Sequence, residues 1–229
     1  NTPDSPWFHP YGWKGGPPVR KGSPKQKCPQ GQERWAYRLV RGEFMAKLIN
    51  PQIDALLEGT SRSFFITLQA LPSKVRGQVG LLYLLARIAD TVADSKQGDT
   101  QLLLKTLEEY NERVQGNSEN LPDFSELVLV QDNESEAKLL QNVGAIVICL
   151  EQFTETDQAS IRQCLDIIVS GQSLDLERFG IANEGGTISP LEHEGELDDY
   201  AYRVAGSVGE FWTQMSLAHL FRVNAKKEV

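Results

Sequence analysis

A chain of 229 residues with 40% hydrophobic and 24% charged content is long enough to bury one large core and has the make-up of an ordinary globular protein. Its net charge of -8 and pI near 5.0 argue against a nucleic-acid partner, which would draw on a basic surface. The longest apolar runs, such as AIVICL from Ala145 to Leu150, are far too short to cross a bilayer.

The first residues differ from the rest. Between Asn1 and Gln30 there are seven prolines and no helical periodicity, and the single acid, Asp4, stands against Lys14, Arg20, Lys21, Lys25 and Lys27. Residues 1–32 are therefore read as an extension or linker outside the fold, and residues 33–229 as the helical domain. An apolar secretory core is missing from this stretch. From Glu33 onward the chain reads as helix after helix: WAYRLVRGEFMAKLI, SKVRGQVGLLYLLARIADTVAD, TQLLLKTLEEYNERVQ, SEAKLLQNVGAIVICLEQF, ASIRQCLDIIVSGQSLDLERF and LDDYAYRVAGSVGEFWTQMSLAHLF. Pro72-Ser73 opens one helix, Gly98-Asp99-Thr100 separates two, and Gly180 to Pro190 reads as a turn-rich connection. Strand alternation is nearly absent, so the fold class is all-α with antiparallel neighbours. Cys28, Cys149 and Cys164 form neither a CxxC nor a Cys/His cluster, which leaves a reducing, cytoplasmic location as the expectation.

Three constellations could carry chemistry. The first lies in VGLLYLLARIADTVADS, Val79 to Ser95. At about 100° per residue, Tyr83, Arg87, Asp90 and Asp94 fall in a stripe roughly 60° wide. Apolar residues cover nearly every other direction, as on a helix packed on most sides. Buried charges without partners are very costly. Such a stripe should line a wet or ligand-filled cavity, or be neutralised by a cation. Two carboxylates one turn apart repel each other, and they suit Mg2+, which takes one or two protein carboxylates and completes its shell with water and phosphate oxygens.

The second is GTSRSFFITLQALP, where Ser61, Arg62 and Ser63 offer hydroxyls and a guanidinium suited to phosphate oxygens ahead of Phe64. The alternative there is a plain helix start with Thr60 or Ser61 as its N-cap. In the third, DDYAYRVAGSVGEFW, Tyr200, Arg203, Ser207 and Glu210 share one helical face, and Ala205, Gly206 and Gly209 let a neighbouring backbone or a bulky ligand come close. Gly171, Asp175 and Arg178 share a face in the same way; a solvated surface is the plain alternative for Arg178, and less so for Asp175 beside Leu174 and Leu176.

Taken together, SRSFFITLQALPSKVRGQVGLLYLLARIADTVAD and YAYRVAGSVGEFW resemble the squalene/phytoene synthase family, over roughly Ala55 to Phe221 and with the motifs in the right order. The resemblance implies an isoprenoid-synthase helical bundle around a central cavity and head-to-head coupling of two prenyl diphosphates. It implies Mg2+ on Asp90 and Asp94, catalytic roles for Arg87 and Tyr200, and substrate contacts from Ser61, Arg62, Ser63, Phe64, Tyr83 and Arg203. Two farnesyl diphosphates would give presqualene diphosphate, then squalene if NADPH supplies a hydride and dehydrosqualene if not. Two geranylgeranyl diphosphates would give phytoene, and the wording of RIADTVAD leans to the squalene side. Release of so apolar a product implies peripheral membrane association.

The family's second aspartate-rich motif lies beyond the V-A-G segment, and no other D-x-x-x-D stands before Val229. It is expected beyond that residue, with residues 1–229 alone inactive or nearly so. A non-catalytic relative acting as a respiratory-complex assembly factor is the competing class; Asp90, Asp94, Arg87 and Tyr200 together favour the enzyme. Head-to-tail synthases usually carry DDxxD, whereas Ala89 precedes Asp90 here.

Overall fold

Why the chain breaks into helices where it does is visible at their ends. The computed structural model describes residues 49–61, 63–95, 99–183 and 190–221. The proline-rich extension, the helix expected from Trp35, and Arg62 lie outside them. Helix α1, Pro51–Ser61, starts where the Asn50 carboxamide oxygen accepts from the amides of Gln52 (3.1 Å) and Ile53 (3.0 Å), with Pro51 in the first turn, where its missing N–H costs nothing. Helix α2 is Ser63–Ala70, and Pro72 stops it and opens α3, Ser73–Ala93. The buried Arg76 guanidinium folds back onto the Leu71 carbonyl, its Nε at 3.0 Å, and ties the α2–α3 corner. Helix α4, Thr100–Gln115, begins at Asp99, whose carboxylate accepts from the Gln101 amide at 3.1 Å, and ends at Gly116 with φ +86°. A side chain is strained there, so glycine makes the stop.

Beyond α4 come the short α5, Ser125–Leu129, then α6, Glu134–Gln141, α7, Val143–Ile148, and a 3-10 turn, Cys149–Gln152. Sequence periodicity reads most of this as one helix from Ser135; the chain instead breaks at Asn142. The long α8, Glu155–Asn183, runs past Gly180, so the connection expected from that residue starts later. Helix α9, Glu194–Ala201, continues through a π-helical turn, Tyr202–Gly206, into α10, Ser207–His219. Among the described residues there is no strand, and no helix is long and apolar enough to cross a membrane.

Helix α3 is the centre of the bundle. It packs along α8 and also meets α4, α7 and α10, while α8 takes α4 and α10 on its other sides. From Val75 to Val92 only Tyr83, Ala86, Arg87 and Asp90 escape full burial. Two buried polar links pin the arrangement. The Tyr110 hydroxyl donates to the Leu85 carbonyl at 2.9 Å. At the far end of α8 the carboxylate of Asp157, 3% exposed, accepts from Gln78 of α3 at 3.1 Å and lies 2.7 Å from His219 Nε2 of α10. Among the described residues no buried side-chain polar atom lacks a partner, as a well-formed core requires.

Of the glycines expected to allow a close approach, Gly206 has Tyr202 Cδ2 of its own π-turn 3.0 Å from where a Cβ would stand, while the approach of a second helix falls at Gly171. A Cβ on Gly171 of α8 would stand 3.0 Å from Arg203 Cβ and 3.2 Å from Val204 Cγ1, so this glycine lets the π-turn settle on α8. A Cβ on Gly209 would meet nothing within 4 Å. The two should answer oppositely in chemical denaturation: Gly171→Ala should cost about 1–3 kcal/mol of stability by overpacking, and Gly209→Ala should gain about 0.5–1 kcal/mol by favouring the helix.

Candidate active site

The stripe on α3 ends at the helix's C-terminus, and that placement has an electrostatic cost. Backbone dipoles leave partial negative charge there, which favours cations and disfavours carboxylates. Yet Asp90 sits in the last turn, Asp94 is the C-cap with its N–H on the Asp90 carbonyl at 2.8 Å, and no basic residue occupies that turn. Asp90 is partly buried and Asp94 exposed. Burial pushes the Asp90 carboxyl above its ordinary value; Arg87 pulls it back and Asp94 adds to the rise. Two carboxylates at the negative end of a helix, one of them resisting ionisation, concentrate negative charge that Arg87 only partly offsets.

Neighbouring helices fix these groups. Arg87 Nη1 lies 3.8 Å from Asp90 Oδ2, and Arg87 Nη2 pairs with Glu136 of α6. The other oxygen of Asp90, Oδ1, accepts a hydrogen bond from the Gln172 carboxamide of α8. One turn along α8, Asp175 accepts from the Tyr200 hydroxyl of α9 at 3.3 Å. Burial raises the Tyr200 phenol, and Asp175, Asp90 and Asp94 each raise it further, so Tyr200 stands within the field of both stripe carboxylates. Helices α3, α8 and α9 thus bring Asp90, Asp94, Asp175 and Tyr200 together.

On the other flank Tyr83 donates to the Thr60 carbonyl at 3.2 Å, and its ring centroid lies 5.0 Å from that of Phe64. This joins the end of α1 and the start of α2 to the stripe. Ser61 is not the cap of a helix start. It closes α1, and its hydroxyl is buried and donates to the Leu57 carbonyl, while Thr60 donates to Leu56 at 2.8 Å. Ser63 is exposed at the first position of α2.

Arg203 goes elsewhere. Its Nε pairs with Asp199 at 2.9 Å, its Nη1 donates to Ser170 at 2.9 Å, and it lines a groove of about 530 Å³ with Gln101, Glu108 and Asp166 between α4 and α8. The face expected to hold Tyr200, Arg203, Ser207 and Glu210 is split by the π-turn. Ser207 is buried, donating to the Arg203 carbonyl at 3.0 Å, and Glu210 accepts from Tyr202 at 2.9 Å. A π-turn adds a residue to one helical turn and so rotates the face presented by the next helix.

Known proteins resemble the chain over the same region. A family model described as squalene/phytoene synthase matches residues 57–227. The chain belongs to the squalene/phytoene synthase family. Squalene synthase ERG9 of Saccharomyces cerevisiae is 26% identical over 164 residues, covering 70% of this chain and 34% of that protein. Squalene synthase BSS of Botryococcus braunii is 26% identical over 71% of this chain and 32% of its own length. A bifunctional lycopene cyclase/phytoene synthase of Blakeslea trispora is 24% identical over 71% of this chain and 24% of its own. The chain therefore spans roughly a quarter to a third of the length of these curated relatives. A solved complex of TcSQS with the ligand E5700 matches with a TM-score of 0.57 at 22% identity, over 72% of this chain and 43% of that one. The all-α isoprenoid-synthase fold expected from the sequence is the one observed.

The motifs that carry the resemblance contain the stripe and Tyr200, and leave out two of the side chains that hold the stripe. Glu136 and Gln172 meet the stripe from helices 49 and 82 residues away in sequence. A faint local signal existed for the first: Asn133 accepts from the Ser135 amide at 2.9 Å and starts α6, with Glu134 and Glu136 in its first turn. For Gln172 there was none.

Proposed function

We propose that these helices form one wall of a site that couples two prenyl diphosphates head to head, with release of diphosphate. The observation that carries the reading is the convergence of Asp90 and Asp94 from α3, Asp175 from α8 and Tyr200 from α9, in a chain of the squalene/phytoene synthase family. The donor set suits Mg2+. It is all oxygen, it stands at the negative end of a helix, and it is open at Asp94. Among the described residues no three His, Cys, Asp or Glu side chains close a cage around a metal. Two carboxylates that leave room for water and phosphate oxygens match Mg2+ better than such a cage would. When bound, Mg2+ stabilises the charge of a leaving diphosphate. Asp90 and Asp94 would hold it.

The other residues divide the remaining tasks. Arg87, anchored by Glu136, directs a guanidinium at the anion. Phe64 and Tyr83 present aromatic faces to a developing carbocation. Tyr200, neutral and hydrogen-bonded to Asp175, stabilises the cation or relays its proton.

The squalene-type reaction on farnesyl diphosphate is the reading we favour, with phytoene formation from geranylgeranyl diphosphate as the alternative drawn from the same family. Calorimetric titration with the non-ionising thio analogue of farnesyl diphosphate tests the site. Binding should require Mg2+, and equal binding in EDTA would overturn the assignment. Product analysis of a full-length parent with each prenyl diphosphate, with and without NADPH, decides between the two reactions.

A further inference from the structure

Asp90 is gripped at both oxygens. Oδ2 faces Arg87 at 3.8 Å, and Oδ1 accepts the Gln172 amide hydrogen from across the α3–α8 contact. The plane of the carboxylate is therefore set by two different helices. The chemistry of the second partner is informative. A Lys or Arg at position 172 would discharge Asp90 and remove the need for a cation, and a Glu would add a further anion. A carboxamide donates a hydrogen bond without changing the charge, and it occupies only one of the roughly four lone-pair directions a carboxylate offers. The backbone around it is held as well. Gly171, the preceding residue, is buried under the π-turn, and Asp175, one turn on, is tied to Tyr200.

We propose that Gln172 is a positioning residue, whose carboxamide holds the Asp90 carboxylate in the orientation that lets Asp90 and Asp94 take a divalent cation together. This rests on the reading of that carboxylate pair as a cation site. Partners that orient a metal ligand typically change metal affinity 10- to 100-fold when removed. Gln172 also couples the cation to α8, and through Asp175 to Tyr200, so one helix sets the relation between the two halves of the site.

The test is a Mn2+ titration of the whole chain in the presence of inorganic diphosphate, read by the electron paramagnetic resonance of free Mn2+. Gln172→Met keeps the length of the side chain and loses the donor. It should bind Mn2+ about 10-fold more weakly or worse than the wild type, with an unchanged helical circular dichroism spectrum and melting temperature. Gln172→Leu serves the same purpose if the Met variant does not fold. Gln172→Lys, which discharges Asp90, should bind less Mn2+ than either. Ser173→Ala, altering the next residue on the side of α8 that faces the α4 groove, should bind as the wild type does. A folded Met or Leu variant with wild-type Mn2+ affinity overturns the role of Gln172 and leaves the cation site standing. A wild-type chain that binds no Mn2+ overturns the cation site and this inference with it.

Discussion

In a full-length parent, Asp90→Asn should abolish cation-dependent diphosphate release, a loss on the order of 100-fold or more, while making the cation-free chain more stable at neutral pH. The two effects share one cause. Burial raises the Asp90 carboxyl, Arg87 only partly offsets this, and Asp94 adds to it. A carboxyl whose folded pKa lies above its unfolded value binds its proton more tightly in the folded state. Ionising it then costs folding free energy. That cost is absent well below the unfolded value of about 3.9, grows as pH rises through the unfolded and then the folded pKa, and is complete above the latter. Asparagine never incurs it. It is the same size, its side-chain oxygen can still accept from Gln172, and it relieves the repulsion of Asp94 and of the helix's negative end. Melting curves at pH 7 without divalent cations should place the variant above the wild type, and the gap should close toward about pH 3. Mn2+ with inorganic diphosphate should raise the wild-type melting temperature and leave the variant's unchanged. A variant that melts lower at neutral pH and still responds to Mn2+ would show that Asp90 serves the fold and not the cation.

How much of this was legible beforehand depended on whether a feature is encoded locally. The stripe was, because residues spaced by four, three and four can only share a helical face, and the structure leaves Tyr83, Arg87 and Asp90, with Ala86 beside them, as the breaks in an otherwise buried surface. Helix α4 was legible to the residue, because Asp99 and Gly116 are strong boundary signals. Helix α1 carried a usable start signal in Asn50-Pro51, but only Ile53, Leu57 and Ser61 are buried along it, too sparse a pattern to read as a helix. Breaks inside helical runs were not legible. The π-turn at Tyr202 and the interruption at Asn142 each disturb the apolar spacing by a residue or so, which a periodicity summed over many turns absorbs. The clasp of Gln172 on Asp90 was beyond any local pattern, and that of Glu136 on Arg87 nearly so. Glu136 and Gln172 are ordinary surface residues in sequence, and only the packing of α6 and α8 against α3 gives them a task.

Tyr200→Phe separates chemistry from folding at the other end of the site. Its hydroxyl makes a hydrogen bond to Asp175 at 3.3 Å, and the residue is only partly buried, so losing it should cost at most about 1 kcal/mol of stability. The ring, its packing and the adjoining π-turn are unchanged by the substitution. If the tyrosine merely completes the fold, turnover should survive. In the catalytic reading a proton must leave the cationic adduct after the two prenyl chains join, and a phenol is placed to assist. Burial and the charges of Asp175, Asp90 and Asp94 keep that phenol protonated at neutral pH, so it acts as an O–H dipole toward the cation and not as a resident anion. General acid–base or relay groups of this kind contribute about 10²–10⁴-fold. Single-turnover measurement on a full-length parent should therefore find the cyclopropylcarbinyl diphosphate forming about 100-fold more slowly or worse in Tyr200→Phe, with Mn2+ affinity and melting temperature close to wild type. Asp175→Asn, which preserves an acceptor for the hydroxyl and removes the charge behind it, should fall between the two. A Tyr200→Phe protein that forms the intermediate at the wild-type rate would return Tyr200 to a packing role and leave the carboxylates of α3 as the chemical core of the site.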